Sequence, residues 1–590
     1  MLPRFDPTNH KACLSVLEDT TSNAKQVQDS VLEAILSCNA QTEYLRGFLS
    51  GQLDKQSFKK NLPIVTYEDC RSYIDRIANG ESFNLICDRP FIVLLTSSGT
   101  SGGVPKLIPL TAEEMEQGIL CASLFNPMLS KQFEGVTEGK SLMFYFVTRE
   151  SETPSGLMVR TIITCILKSL TPAKKLYWDK VQISPHEMTT CEDTTQRMFC
   201  QLLCGLLQRE NVSRLDAPFA SSFLKVIKIT GMNSNIRTGR VSDWITDAQC
   251  LSGISKFLTG PNPELAGLIE QECSKTSWEG IVKRLWPKAK CIEAIITGSM
   301  AQYIPMLEFY CGGIPLVSSL YVSSECSIGI NIDPLSKPCD VSYTIIPSMA
   351  YFEFLEVKKD HQETGHDLTE NHVVVDLVDV KIGHDYEPVV TTFSGLYRYR
   401  VGDVLRVTGY YNNAPKFRFV GRQKVVLSID MDKTYEEDLL KAVANATLLL
   451  EPHELMLTDF TSRVDSSSFP GHYVLYWELG SKVKDVKVEP DPKVMEKCCF
   501  TVEESLDSVY RKGRRNDKNI GPLELKVVRS GAFDELMSFF VSRGSSVSQY
   551  KTPRSVTNED AVKILEAAVV SKFVSRKIPS WELHELHSSR

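Results

Sequence analysis

No stretch of this chain approaches the ~20 consecutive apolar residues that a membrane-spanning helix needs, so no membrane partner is expected. Its 17 cysteines include no C-x-x-C pair. That pattern excludes a disulfide framework and points to reduced thiols and a cytoplasmic location. Cys200 and Cys204, at helical spacing, and the adjacent Cys498 and Cys499 read as small core residues rather than metal ligands. His361, His366 and His372 fall in a polar stretch whose spacing fits no zinc pattern. The start, Met1-Leu2-Pro3-Arg4-Phe5-Asp6, lacks the apolar core of a secretory leader. Basic residues number 66 against 73 acidic, a net charge of −7. No basic stripe stands out, which excludes nucleic acid as the expected partner. The densest basic run, Arg511-Lys512-Gly513-Arg514-Arg515, reads as a helix end. Internal repeats and low-complexity segments are also missing.

What remains is a long, ordinary globular composition. The chain has 590 residues, 42% apolar and 24% charged, enough for two to four domains with large cores. Residues 25 to 48 show a partly amphipathic helical pattern. Thr111-Ala112-Glu113-Glu114 is a capping box that predicts a helix to about Phe125. Ile292 to Thr297 and Leu316 to Val322 are apolar runs with the look of strands. Mixed elements over some four hundred residues indicate α/β architecture. A smaller α+β unit is expected from Gly421. In it, His472 to Leu479 and Leu523 to Val528 read as strands. Glu496 to Lys512, Ala532 to Arg543 and Asn558 to Ser575 read as helices, with Gly544 as a stop. The expected division is 1–420, a short polar hinge at 421–427, and 428–590.

The most informative stretch is Leu94-Leu95-Thr96-Ser97-Ser98-Gly99-Thr100-Ser101-Gly102-Gly103-Val104-Pro105-Lys106. A strand from Phe91 to Thr96 runs into small hydroxyl residues and glycines, which let backbone N–H groups crowd round an anion. Lys106 adds a point charge. Leu107 to Leu110 reads as a second strand, so the loop joins two strands and is not a Walker loop. The same residues fit G-x-S-x-G, which would make Ser101 a hydrolase nucleophile. That motif requires a helix after the turn, and here a strand is expected.

Three further segments carry matching chemistry. Tyr321-Val322-Ser323-Ser324-Glu325 places a carboxylate after a strand, where it can hold Mg²⁺ beside phosphates. Tyr397-Arg398-Tyr399-Arg400-Val401-Gly402-Asp403 places an Asp at a turn, able to accept from ribose hydroxyls. Gln549-Tyr550-Lys551-Thr552-Pro553-Arg554 sets a lysine in a rigid turn. Taken in order, the set resembles the plant acyl acid amido synthetases of the auxin-induced Gretchen Hagen family, a branch of the adenylate-forming superfamily. The resemblance covers essentially the whole chain and includes Asp432-Lys433-Thr434.

It implies a large N-terminal α/β domain with a β-barrel and sheets, and a smaller mobile C-terminal α+β domain. By the same resemblance Ser97, Ser98, Thr100 and Ser101 would wrap the phosphates of ATP. Thr297, Gly298, Ser299 and Met300 would lie against adenine, with Tyr321 close by. Glu325 would carry Mg²⁺ and Asp403 the ribose. Arg422 would sit at the hinge, and Lys433 and Lys551 would be the catalytic lysines of the mobile domain.

The implied reaction activates a carboxylic acid as its adenylate and passes the acyl group to an amino acid, releasing AMP and pyrophosphate. Benzoate-using relatives carry an Arg where this chain has Phe125, and a small or hydroxyl residue near Ile162 and Ile163. The exchange favours a bulkier acid such as indole-3-butyrate or another arylalkanoate, although all three residues also suit plain core packing. A monomer is expected. The alternatives are a jasmonate- or benzoate-conjugating member, an acyl-CoA ligase of the same superfamily, the Ser101 hydrolase, and a non-catalytic nucleotide-binding protein.

Overall fold

In the computed structural model the described residues are 1–101, 104–148, 150–227, 231–357, 373–422, 425–429, 432–484, 488–543, 545 and 550–581, without the side chains of 97–101 and 104–105. His361, His366, His372, Gly544 and Gln549 therefore lie outside them, as does part of the expected hinge. The chain divides into two units: residues 1–265, 286–297 and 314–420 form the first, and residues 266–285, 298–313 and 421–590 the second.

The described residues of the first unit form three sheets. In one, Lys140–Met143, Val212–Phe219, Cys291–Ile295 and Leu316–Val317 run parallel in that order. These strands are mostly buried, as parallel strands covered on both faces must be. The second sheet is built on the hairpin Phe91–Ser101 and Val104–Thr111, with Met158–Arg160 parallel to the first strand. The third, where a barrel is expected, is a nine-stranded sheet. In it Leu320–Val322 pairs antiparallel with Ser327–Ile330, and Asp403–Tyr411 antiparallel with Asp385–Thr391. Its core includes Ile328, Tyr343, Phe352, Phe354 and Phe417, all nearly inaccessible.

The second unit has a four-stranded sheet, Leu455–Asp465, His472–Ser481, Glu524–Val528 and Val569–Val574. Period-two alternation along one strand explains its helix layers. Tyr473, Leu475 and Trp477 pack in the core with helices Glu436–Thr447 and Pro492–Ser505. Val474 and Tyr476 face the other way, onto Ala532–Ser542 and Glu559–Ala567.

The capping box forms as expected: Thr111 caps Ala112–Ser123, and Glu114 reaches back to it. Other expectations change. The helical pattern over 25–48 breaks into Ala24–Cys38 and Glu43–Leu49, because Thr42 caps the second helix. Leu316 to Val322 is two strands in different sheets. Ser318 and Ser319 interrupt it by bonding Tyr343 and Glu293. Asp507 caps a new helix and so splits the expected helix 496–512. Val569–Val574 is a strand, not the end of a helix, since Glu524–Val528 offers it an open edge. In the basic run, Arg514 is buried against Glu503 at 2.6 Å and is not a solvated helix end.

Candidate functional site

The hairpin that presents Lys106 is extended through Ser101, with a register break between Thr96 and Thr100. Such a break leaves backbone groups outside the ladder. Ser97, Ser98, Thr100 and Ser101 belong to this strand, and their side chains lie outside the described residues. A strand, Val104–Thr111, follows Ser101, so the strand–turn–helix setting of a nucleophile elbow is missing. Lys106 is partly buried. It donates to Tyr399 Oη at 3.2 Å and stands 5.4 Å from the Tyr67 ring centre. Tyr67 Oη in turn accepts from the Leu107 N–H at 2.8 Å, which fixes the strand beside the lysine.

Tyr399 and Asp403 come from one tightly held segment. Gly395 has φ +92°, and a Cβ there would meet the Ile86 carbonyl oxygen at 2.3 Å, so only glycine fits. Tyr397 donates to that same carbonyl at 2.7 Å. Arg398 adopts φ +46° and makes a bidentate pair with buried Glu353 at 2.9 and 3.0 Å. It also donates to the carbonyls of Lys59 and Leu62. Arg400 pairs with Glu387, which also accepts the Gly402 N–H at 3.2 Å. Gly402, at φ +85°, then turns the chain into the strand that Asp403 begins.

Tyr399 is fully buried; its hydroxyl accepts from Lys106, and the Glu325 carboxylate lies within electrostatic reach of it. Burial, and then the Glu325 charge, hold this phenol firmly protonated. Glu325 sits in the turn between Leu320–Val322 and Ser327–Ile330, closed by the Ser323 N–H donating to the Cys326 carbonyl at 3.0 Å and the Cys326 N–H donating to Ser323 Oγ at 3.3 Å. One strand earlier, Tyr321 donates to Asp403 Oδ2 at 2.8 Å. The Tyr321 ring lies 5.8 Å from that of Tyr343, whose hydroxyl contacts Ser318 at 2.8 Å and Thr297 at 3.3 Å. The first unit thus joins Lys106 to Glu325, and Asp403 to Tyr321 and Thr297, across nearly 300 residues of sequence. Glu325 and Asp403 supply hard carboxylate oxygens of the kind Mg²⁺ and ribose accept.

The second unit carries the rest. Ser299 and Met300 lie in the 3₁₀ turn Gly298–Tyr303, Met300 buried and Ser299 partly so. Arg422 is exposed at the end of Ala414–Arg422. In Asp432–Tyr435, alternation buries Asp432 and Thr434 and exposes Lys433. Asp432 accepts from Tyr473 and Thr434, and burial pushes its carboxyl up to about 7. The turn bearing Lys551 is fixed by its neighbours: Thr552 donates to Asp459 at 2.6 Å, and Arg554 donates to the Phe460 carbonyl at 2.6 Å.

The residues expected at the acyl site lie in the first unit. Phe125 is only 2% exposed and packs with Leu129, Phe133, Val136 and Val317. Ile162 packs on a different apolar cluster, and Ile163 beside it is half-buried. Met128 packs against both clusters, so the two adjoin. Tyr399, Tyr343 and Tyr67 are the linking residues that sequence reasoning missed. The Tyr-Arg-Tyr-Arg alternation before Asp403 was the signal for the first.

Comparison with known proteins identifies the family. The GH3 family N-terminal domain matches residues 13–316, the central domain 343–422 and the C-terminal domain 437–560. Indole-3-acetic acid-amido synthetase GH3.15 of Arabidopsis thaliana is 78% identical, with 100% of both chains covered. The 4-substituted benzoates-glutamate ligase GH3.12 of Arabidopsis thaliana is 49% identical over 95% of this chain and 97% of its own. The solved AtGH3.15 acyl acid amido synthetase in complex with 2,4-DB superposes with a TM-score of 0.91 at 75% identity, covering 99% of this chain and 100% of that one. From residue 13 to residue 560 the sequence follows the family's order of domains, and the chain belongs to the GH3 family.

Proposed function

We propose that this chain is an ATP-dependent acyl acid amido synthetase acting on an arylalkanoic acid such as indole-3-butyrate. The observation that carries the reading is the joined pair of contacts, Lys106–Tyr399–Glu325 and Tyr321–Asp403. It gathers a cation, a metal-type carboxylate and a ribose-type carboxylate in one unit of a chain similar throughout to amido synthetases.

The chemistry follows from the substrate. A carboxylate is a poor acyl donor, because the group leaving it would be oxide. Attack of its oxygen on the α-phosphorus of ATP forms a mixed anhydride and expels pyrophosphate. The amine of an amino acid then attacks the acyl carbon and AMP leaves. Lys106 and the backbone around the hairpin's register break lower the charge cost of the first step. Glu325 is the residue that would hold Mg²⁺, which supplies further neutralisation of the phosphates when bound. Asp403 accepts from the ribose while Tyr321 keeps its carboxylate oriented. Thr297 borders the adenine. Lys433 and Lys551 serve the two half-reactions, and residues 421–427 act as the hinge. The enzyme works as a monomer in the cytoplasm; 17 unpaired cysteines support a reducing compartment.

Labelled pyrophosphate should exchange into ATP only when an acid is present, and an amide should form only when an amino acid is added. Indole-3-butyrate should give a higher kcat/KM than 4-hydroxybenzoate. No exchange across a panel of indole, phenyl, jasmonate and benzoate acids would overturn the reading. Turnover with coenzyme A in place of amino acids would replace it with the ligase alternative.

A further inference from the structure

Outside the nucleotide-binding residues, the first unit contains a cluster of thiols that the reaction does not use. Cys191 follows the short helix His186–Thr189, Cys200 lies on Thr194–Leu207, and Cys250 on Ala248–Ser255. All three are at most 1% exposed. The Cys191 and Cys250 sulfurs and an Asp247 carboxylate oxygen lie within 4.8 Å of one another. The Cys200 thiol stands near the Cys250 sulfur but outside this group of three. We propose that Cys191, Cys250 and Asp247 form a three-donor binding site for a thiophilic divalent cation of the zinc type, which would tie the turn after His186–Thr189 to the helix Ala248–Ser255.

Several observations support a ligand site over chance packing. Tetrahedral zinc with Zn–S bonds of ~2.3 Å sets its donors about 3.8 Å apart, so closing in from 4.8 Å or less is a movement of about 1 Å. The donor-bearing segments are already fixed to each other. Gln196 on the second helix accepts the Thr246 and Asp247 N–H groups at 2.8 and 2.9 Å. Asp247 is itself held by the Gln249 and Cys250 N–H groups at 2.9 and 2.8 Å. Charge balance points the same way. Two thiolates, one carboxylate and a divalent ion leave one net negative charge. Arg197, fully buried, lies within electrostatic reach of Cys191, Cys250 and Asp247, and its Nε has no hydrogen-bond partner. A buried guanidinium with an unused donor is the counter-charge such a site needs. Asp247 is only partly buried and gives the ion a route in. Each thiol releases one proton as the ion binds.

The test uses the full chain, stripped with a chelator under a phosphine reductant and then titrated with Cd²⁺ alone. The thiolate-to-cadmium charge-transfer band reports binding, and zinc in the protein as purified is measured by mass spectrometry. Saturation at one equivalent is expected for the wild type and for Cys339→Ser, whose cysteine is exposed. Cys191→Ser and Cys250→Ser should each weaken binding by at least the ~10–100-fold that loss of an outer partner costs. Circular dichroism establishes that each variant is folded. A wild type that neither carries zinc nor saturates at one equivalent of Cd²⁺ overturns the proposal, whatever the variants do. So do two folded Ser variants that bind as tightly as the wild type.

Discussion

Replacing Tyr399 by Phe removes one oxygen atom and tests the site's central link. That hydroxyl accepts from Lys106 at 3.2 Å and lies within electrostatic reach of Glu325, while the ring is fully buried and keeps its packing in the variant. Hydrogen bonds to charged groups contribute about 1.5–3 kcal/mol each when their partners stay dry. Lys106 and Glu325 are both only partly buried, so water can take up much of the lost bonding and the lower end applies. A loss of about 1.5 kcal/mol corresponds to roughly tenfold in rate. The expected result is therefore a roughly tenfold fall in kcat/KM for ATP, with a weaker response to added Mg²⁺ and little change in KM for the amino acid. Acid-dependent pyrophosphate exchange, run as an ATP titration at several Mg²⁺ concentrations, measures this. A variant within twofold of wild type in both titrations would show that Tyr399 only packs, and that Lys106 and Glu325 act independently of it.

Other substitutions probe the remaining contacts. Asp403→Ala should raise the ATP KM strongly, and Tyr321→Phe more weakly; a double variant whose effects simply add would show that the 2.8 Å bond between them is idle. Glu353→Gln leaves buried Arg398 with an unneutralised charge, and should cost about 3–5 kcal/mol in denaturant unfolding. An unchanged midpoint would refute that. Phe125→Arg inserts a cation into an apolar cluster, so the melting temperature should fall sharply; a fully stable variant with an altered acid preference would instead show that this position borders the acyl site. Asp432 has a folded-state carboxyl raised to about 7, above its unfolded value, so it binds its proton more tightly when folded. The stability of the second unit should then fall as pH rises from about 4 to 7, and Asp432→Asn should flatten that slope in chemical unfolding.

Some of this protein is written locally in its sequence. The hairpin around Lys106, the Thr111–Glu114 capping box and the order of the motif segments depend on residues a few positions apart, where side-chain type and spacing act directly. Gly395 and Gly402 belong to this class too, since their left-handed conformations exclude other residues. The failures share one cause. Val569–Val574 becomes a strand because Glu524–Val528, some 45 positions away, presents unpaired backbone beside it. Leu316 to Val322 splits because Ser318 finds Tyr343 and Ser319 finds Glu293. Arg514 leaves the surface because Glu503 is buried within reach. The site obeys the same division. Composition and spacing singled out Lys106, Glu325 and Asp403. That Tyr399 stands between the first two, that Tyr321 orients the third, and that Cys191 and Cys250 meet at Asp247 were decided by tertiary packing. Periodicity along a chain records which way a side chain points, but what it meets there depends on segments brought in from tens to hundreds of residues away.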